Sequence, residues 1–192
     1  MDHLPASERS QTPWKNGGGV TSEIAAFPAG ASLDDFGWRV STASVAAGGP
    51  FSRFDGIDRT LLVVGGRGLK LKIGDRPLAT VTRESPPISF PGDISVHAEL
   101  VKGPVSDLNV MTRRGEWRSH LQRQISEHPR ATFRSADVSF VIALAPLVAR
   151  SADNAVQLAT GDAIRLAVRE VLTVEPVAPG AEFVVIDLWR LN

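Results

Sequence analysis

Ile88-Ser89-Phe90-Pro91-Gly92-Asp93-Ile94-Ser95-Val96 and, further along, Val156-Gln157-Leu158-Ala159-Thr160-Gly161-Asp162-Ala163-Ile164 read alike. Each is an apolar run, a Gly-Asp turn and a second run, the signal of two closely joined strands. Working outward, an apolar strand precedes each copy, at residues 60–64 and 139–144, and a final strand follows, at 107–113 and 182–189. Two copies of one β unit, joined near residues 115–135, account for this pattern. One irregular sandwich is the competing reading, because Gly-Asp turns are common in β proteins. Leu69-Lys70-Leu71-Lys72-Ile73 alternates apolar and charged residues, as a strand with one wet face does, and Ile164-Arg165-Leu166-Ala167-Val168-Arg169 repeats the pattern. Residues 184–188 are apolar nearly throughout, as in a strand covered on both faces. Within 114–127, Trp117, Leu121 and Ile125 recur at a spacing that fits a helix face and a strand face alike, the start leaning to strand.

The chain has 192 residues, 43% of them hydrophobic, enough for one large β domain or two small ones. Gly (17) and Pro (13) fall between the apolar runs, as turns do in a β protein. Lys plus Arg (21) balances Asp plus Glu (21), so neither nucleic acid nor an anionic membrane is expected as a partner. The absence of cysteine excludes disulfides, thiolate metal sites and a cysteine nucleophile, and fits a reducing compartment. Met1-Asp2-His3-Leu4-Pro5 lacks the basic and apolar regions of a secretory signal. The apolar run 140–149 is too short to span a bilayer and contains Pro146. A cytoplasmic location is the expectation.

Small barrels with Gly-Asp turns feeding their strands suggest the cupin class, whose members often hold a metal through clustered histidines and a glutamate. Here His3, His97, His120 and His128 are scattered and form no His-x-His pair, whereas a metal needs three or four converging donors. No metal and no other cofactor is expected. Gly65-Gly66-Arg67-Gly68 leads into a strand rather than a helix, so it reads as a hairpin turn and not a pyrophosphate loop. Lys15-Asn16-Gly17-Gly18-Gly19-Val20-Thr21 has its lysine before the glycines, the reverse of a P-loop. A backbone nest for an anion and a flexible lead-in to the first strand are both open for it. Polar residues sharing strand faces are more informative: Thr21 with Glu23, Arg39 with Ser41, and Asp107, Asn109, Met111 and Arg113 together. Each alone suits a solvated face; three in one half of the chain point to a polar cavity. Arg39 and Arg113 would pair with a carboxylate, and Glu23 or Asp58 would accept from a nitrogenous group. Asp58-Arg59 also reads as a turn with a local ion pair.

Four stretches in order, Trp14-Lys15-Asn16-Gly17-Gly18-Gly19-Val20-Thr21-Ser22-Glu23, Phe36-Gly37-Trp38-Arg39-Val40-Ser41, Gly49-Pro50-Phe51-Ser52-Arg53-Phe54-Asp55-Gly56-Ile57-Asp58-Arg59 and Asp107-Leu108-Asn109-Val110-Met111-Thr112-Arg113-Arg114, resemble successive signatures of the HutD/Ves family. The resemblance is specific over residues 14–114 and departs at Asp55, where the family carries proline. It implies an all-β bicupin, two fused cupin-like barrels or sandwiches of the RmlC-like jelly-roll type without the metal motif. It also implies an association with bacterial histidine utilisation, in a regulatory or governor role and with no established reaction. The expected organisation is an N-terminal arm (1–13), an N-terminal cupin-like barrel holding the pocket (14–125) and a C-terminal cupin-like barrel (126–192), structural and sharing strands with the first. The expected ligand-binding residues are Lys15, Asn16, Gly17, Gly18, Thr21, Glu23, Arg39, Ser41, Asp58, Arg59, Asn109 and Arg113. The expected partner is a small acidic nitrogenous metabolite, with formylglutamate, formiminoglutamate and urocanate as candidates; a homodimer is compatible with the sequence. Two rival readings stand beside this one. The first is a metal-free isomerase or hydrolase using Glu23 or Asp58 as base. The second is a ligand-free partner of a regulator, with an apolar patch around Trp117 or Trp189.

Overall fold

The computed structural model describes residues 1–133, 136–152 and 154–191. The chain divides into two compact units, Ser10–Trp117 in one and Met1–Arg9 with Arg118–Asn192 in the other. In the first unit a six-stranded sheet runs in the order β2 (Gln11–Pro13), β3 (Gly19–Phe27), β4 (Trp38–Val45), β11 (Val105–Arg113), β6 (Ile57–Gly65), β9 (Ile88–Pro91). A four-stranded sheet accompanies it, ordered β5 (Gly49–Pro50), β10 (Val96–Leu100), β7 (Leu69–Ile73), β8 (Ala79–Val81). The second unit has a five-stranded sheet, β1 (Asp2–Leu4), β17 (Ala163–Ala167), β14 (Val138–Ala143), β19 (Ala181–Arg190), β12 (Trp117–Ser126). Its four-stranded sheet is ordered β13 (Arg130–Phe133), β18 (Val171–Pro176), β15 (Leu147–Arg150), β16 (Ala155–Leu158). Among the described residues the only helical piece is a 3-10 turn at Ala6–Glu8. Among the described residues no helix is long and apolar enough to cross a membrane.

The sheet orders reveal a repeat of eight strands. The series β4-β11-β6-β9 with β5-β10-β7-β8 matches β12-β19-β14-β17 with β13-β18-β15-β16, strand for strand. The flanking strands read from the sequence are therefore equivalent, β6 with β14 and β11 with β19. The two Gly-Asp turns are not: Gly92-Asp93 joins β9 to β10, whereas Gly161-Asp162 joins β16 to β17, which is one connection out of phase. Short strands of similar composition align equally well in either phase, and only the pairing order separates the two.

The alternation in β7 is borne out. Leu69, Leu71 and Ile73 are buried while Lys70 and Lys72 are exposed, and the apolar face joins Leu61, Val63, Val81, Phe90, Val96, Ala98 and Val105 in one core. Each of these side chains larger than alanine contributes about 1.5–3 kcal/mol on burial. In the second unit Val184 to Leu188 are all buried. Gly65-Gly66-Arg67-Gly68 is not a hairpin turn, because β6 and β7 belong to different sheets. It is a corner that carries the chain from one sheet to the other, with Gly66 and Gly68 both at positive φ (84° and 110°). A β-carbon at either would press on the carbonyl oxygen of Pro104 or Val81, so glycine is required there. Residues 117–126 form a strand, with Trp117 and Leu121 buried and Ile125 58% exposed. Arg169, expected on a strand face, lies after β17 in a turn with φ 66°.

The first residues are not a free arm. Strand β1 pairs with β17, Asp2 opposite Arg165 and Leu4 opposite Ala163. Asp162 fastens the segment that follows: its carboxylate accepts from the N–H of Ala6 (2.8 Å) and Ala159 (3.0 Å) and meets His3 Nε2 at 3.2 Å. Burial pushes this carboxyl upward, but those hydrogen bonds outweigh it and hold it below the usual value. Asp162→Ala should leave two N–H groups unpaired and cost roughly 2–3 kcal/mol in denaturant melts. Because the native carboxyl is lowered, the contribution is present above the ordinary aspartate range and lost as pH falls through the lowered value. Amide exchange should then accelerate first in residues 2–9.

Candidate functional site

Antiparallel register turns the polar strand faces into adjoining rows on one side of the six-stranded sheet. Glu23 lies opposite Ser41, Ser41 opposite Asn109, and Asn109 opposite Leu61. The next row runs Arg39, Met111, Arg59, Phe90, and the row on the other side runs Thr21, Ala43, Asp107, Val63. Leu61, Val63 and Phe90 belong to the core that includes the four-stranded sheet, so this is the inner face of the unit. Strand β5, which begins the covering sheet, has only two residues, while β2 and β3 extend the other sheet beyond β4. Thr21, Glu23, Arg39 and Asn109 accordingly remain half-buried, at the open side of the cup.

Arg39 and Glu23, expected at opposite ends of a ligand, are bonded to each other. Arg39 Nε donates to Glu23 Oε2 at 2.6 Å. A register shift between Glu23 and Ala25 marks a bulge in β3 at this point. Bulges re-aim a side chain locally. The bond uses the Nε edge, and among the described residues the two terminal nitrogens of Arg39 have no hydrogen-bond partner. Glu23 thus fixes the guanidinium with its bidentate end toward the cup, the end that matches a carboxylate.

Arg59 is 7% exposed and sits over the rings of Phe51, Phe90 and Phe54 at 4.9, 5.4 and 5.8 Å. Its Nη1 donates to Ser52 O at 3.3 Å, and its buried Nε has no partner. Burial pulls the guanidinium down to about 10, against the opposing pull of Asp107. Asp107, 3% exposed, is pushed up to about 7 by burial, with Arg59 opposing. The buried Asn109 Oδ1 also lacks a partner. Buried polar atoms left open in this way are rare and ask for a donor or acceptor from outside the chain. Asp107 lies on the polar face read from the sequence but was not among the expected ligand-binding residues. The packing of phenylalanines around Arg59 leaves no mark in strand alternation, although Phe51 and Phe54 lie a few residues ahead of it.

Three expectations are corrected. Asp58 and Arg59 stand in β6, not a turn, and point to opposite faces. Asp58 lies opposite Thr112 and accepts from Arg114 Nε at 2.9 Å, away from the cup. Arg114 also grips Asp93 at 2.8 Å, holding that carboxyl low. Arg113 is at the end of the polar face, but its Nε and Nη2 donate to the carbonyl oxygens of Phe36 and Asp34, both at 3.1 Å, so it braces a loop. Lys15 to Gly19 is neither an anion nest nor a flexible lead-in. It closes the β2–β3 hairpin, with Trp14 N–H donating to Gly19 O (2.9 Å), Gly17 N–H to Trp14 O (2.9 Å) and Gly18 N–H to Asn16 Oδ1 (3.0 Å). Those N–H groups and the Asn16 oxygen are spent on the turn. Of the twelve residues expected, the fold brings Thr21, Glu23, Arg39, Ser41, Arg59 and Asn109 together.

The donor set does not fit a metal. Among the described residues no three of His, Cys, Asp and Glu converge, and His97 is on the exposed face of β10. An apolar hollow of about 160 Å³ in the second unit, lined by Ala145, Pro146 and residues 177–181, contains none of the polar groups above. Trp117 packs against Phe27 and Trp38, with centroids at 5.5 and 6.4 Å, and Arg118 covers Trp189 at 4.6 Å, so neither tryptophan heads an open apolar patch.

Paired eight-strand sandwiches, one carrying a polar inner face, define a two-cup protein of cupin type. The chain belongs to the HutD family, whose model matches residues 6–184. It is similar to protein Ves of Citrobacter koseri, 37% identical over 144 residues, covering 74% of this chain and 73% of the relative. It is 35% identical over 119 residues, 62% of each chain, to an uncharacterised 21.2 kDa protein in the hutC 3′ region of Pseudomonas putida. The solved HutD from Pseudomonas fluorescens SBW25 superposes with TM-score 0.82 at 26% identity, covering 100% of this chain and 99% of that one. A conserved protein of unknown function from Pseudomonas aeruginosa PAO1 does so with TM-score 0.88 at 28% identity, covering 98% of each. Bacillus subtilis oxalate decarboxylase shares the fold alone, at TM-score 0.68 and 9% identity over 99% of this chain and 77% of that one.

Proposed function

We propose that this protein is a cytoplasmic, non-catalytic binder of a small acidic, nitrogen-bearing metabolite, and that binding regulates histidine utilisation. One observation carries the reading: Arg39 is held by Glu23 with its terminal nitrogens open, beside an unpartnered Asn109 Oδ1, on the inner face of the first unit. A carboxylate suits the open guanidinium edge, and an N–H suits the asparagine oxygen. A molecule bearing both, such as formylglutamate or formiminoglutamate, satisfies the two groups at once; urocanate is the third candidate. The regulatory part rests on kinship with HutD of P. fluorescens and with the P. putida protein of the hutC 3′ region. The rival hydrolase or isomerase reading loses Asp58, which faces away, and finds Glu23 engaged by Arg39.

A thermal-shift screen of the three metabolites tests this. A true ligand at about 100 times its dissociation constant adds about 2.7 kcal/mol of stability. No shift from any of the three, with no turnover, removes the metabolite class; turnover of one of them replaces binder by enzyme.

A further inference from the structure

Asp107 is a carboxyl group placed where an anionic ligand is expected, and the ligand reading above uses none of its chemistry. It shares the inner face with Asn109, two residues along β11, and stands between Ala43 of β4 and Val63 of β6. On the extended chain two residues span about 7 Å, so a carboxylate seated between Arg39 and Asn109 lies roughly 10 Å from Asp107.

We propose, resting on that ligand reading, that binding of a carboxylate ligand in this cup is coupled to uptake of a proton by Asp107. The charged groups facing it are few. From β6 there is Arg59; from β4, Arg39, already bonded to Glu23 of β3; on β11 itself, Arg113, committed to loop carbonyls. The other sheet presents Leu69, Leu71 and Ile73 from β7, Val81 from β8 and Val96 and Ala98 from β10, none of which titrates. Lys70, Lys72, His97 and Glu99 of that sheet are exposed on its other face. The hydrogen bonds of Arg39 and Arg59 go to Glu23 and Ser52 and leave Asp107 without a guanidinium grip. A second negative charge arriving in a partly desolvated cup therefore meets repulsion that a proton on Asp107 relieves. At an effective dielectric near 20, one like charge about 10 Å away changes affinity roughly tenfold. Burial already brings the carboxyl to about 7, so the proton is available near neutrality.

The test is calorimetric titration of the whole protein with N-formylglutamate at about pH 7.5, in phosphate and in Tris, whose ionisation enthalpies differ widely. The expected result is uptake of about half a proton, and affinity falling roughly tenfold from about pH 6 to about pH 9. The ligand carboxylates stay ionised throughout that range. Asp107→Asn should abolish both effects while the melt shows a folded protein. Binding that is independent of buffer and pH in the unaltered protein overturns the proton coupling and leaves the ligand reading standing. Absence of N-formylglutamate binding at any pH overturns the coupling and removes that metabolite from the ligand reading.

Discussion

Arg59→Met destabilises the protein by about 1 kcal/mol more at about pH 8 than at about pH 5, with the gap widening at higher pH; that is the result expected from denaturant melts. Methionine keeps most of the packing against Phe51, Phe54 and Phe90 but removes the one cation that electrostatically opposes the burial of Asp107. The pH dependence follows from linkage. Asp107 titrates near 7 in the native state and near 3.8 in the unfolded chain. The native state therefore binds more protons between those values, and stability falls as pH rises through them. Without Arg59 the native carboxyl moves higher still, so the fall continues to higher pH and the variant diverges from the parent above neutrality. Adding Asp107→Asn to Arg59→Met should recover most of the extra loss at about pH 8 and little at about pH 5. Equal losses at both pH values would mean that Arg59 acts by packing alone.

Arg39→Ala should cost roughly 2–5 kcal/mol of binding, at least about 30-fold in affinity, with little change in the melt. It removes the bidentate edge and leaves the ligand carboxylate without its charge-assisted partner. Glu23→Gln should weaken binding less, because it loosens the orientation of Arg39 and keeps the charge. Arg113→Ala should lower the melting temperature with a smaller effect on affinity, since its donors go to Phe36 and Asp34. Arg165→Ala, whose guanidinium pairs with the exposed Asp2 in the other unit at 2.7 Å, should change affinity by well under ~1 kcal/mol. An Arg165 effect as large as that of Arg39 would place the ligand elsewhere.

The period-two pattern was sufficient to find the strands and to name three polar faces, because side-chain alternation is a local property. Pairing those faces required register, which is not local. Asp58 and Arg59 show the limit: adjacent residues of a strand cannot both face the cup. Burial cost argues against the one that does, until Asp107 arrives from the paired strand β11. Arg113 is hidden for a related reason, since carbonyl oxygens of a loop at least 77 residues away compete for it and leave no mark on side-chain patterning. The Lys15–Gly19 turn is understood only once β2 is known to pair with β3. The repeat, finally, reads one connection out of phase from sequence because two similar Gly-Asp turns fall at non-equivalent places in the pairing order that defines it.

The pairing of Asp2 with Arg165 joins residues 163 apart in the chain. On a ribosome adding about 5–20 residues per second, β1 emerges and then waits roughly 8–30 s for its partner strand to be made. Ser10–Trp117 holds all ten strands of its two sheets and needs no such delay. Strand β1 is thus placed only after β17 is made, and the cup that carries the polar face is complete in sequence well before that.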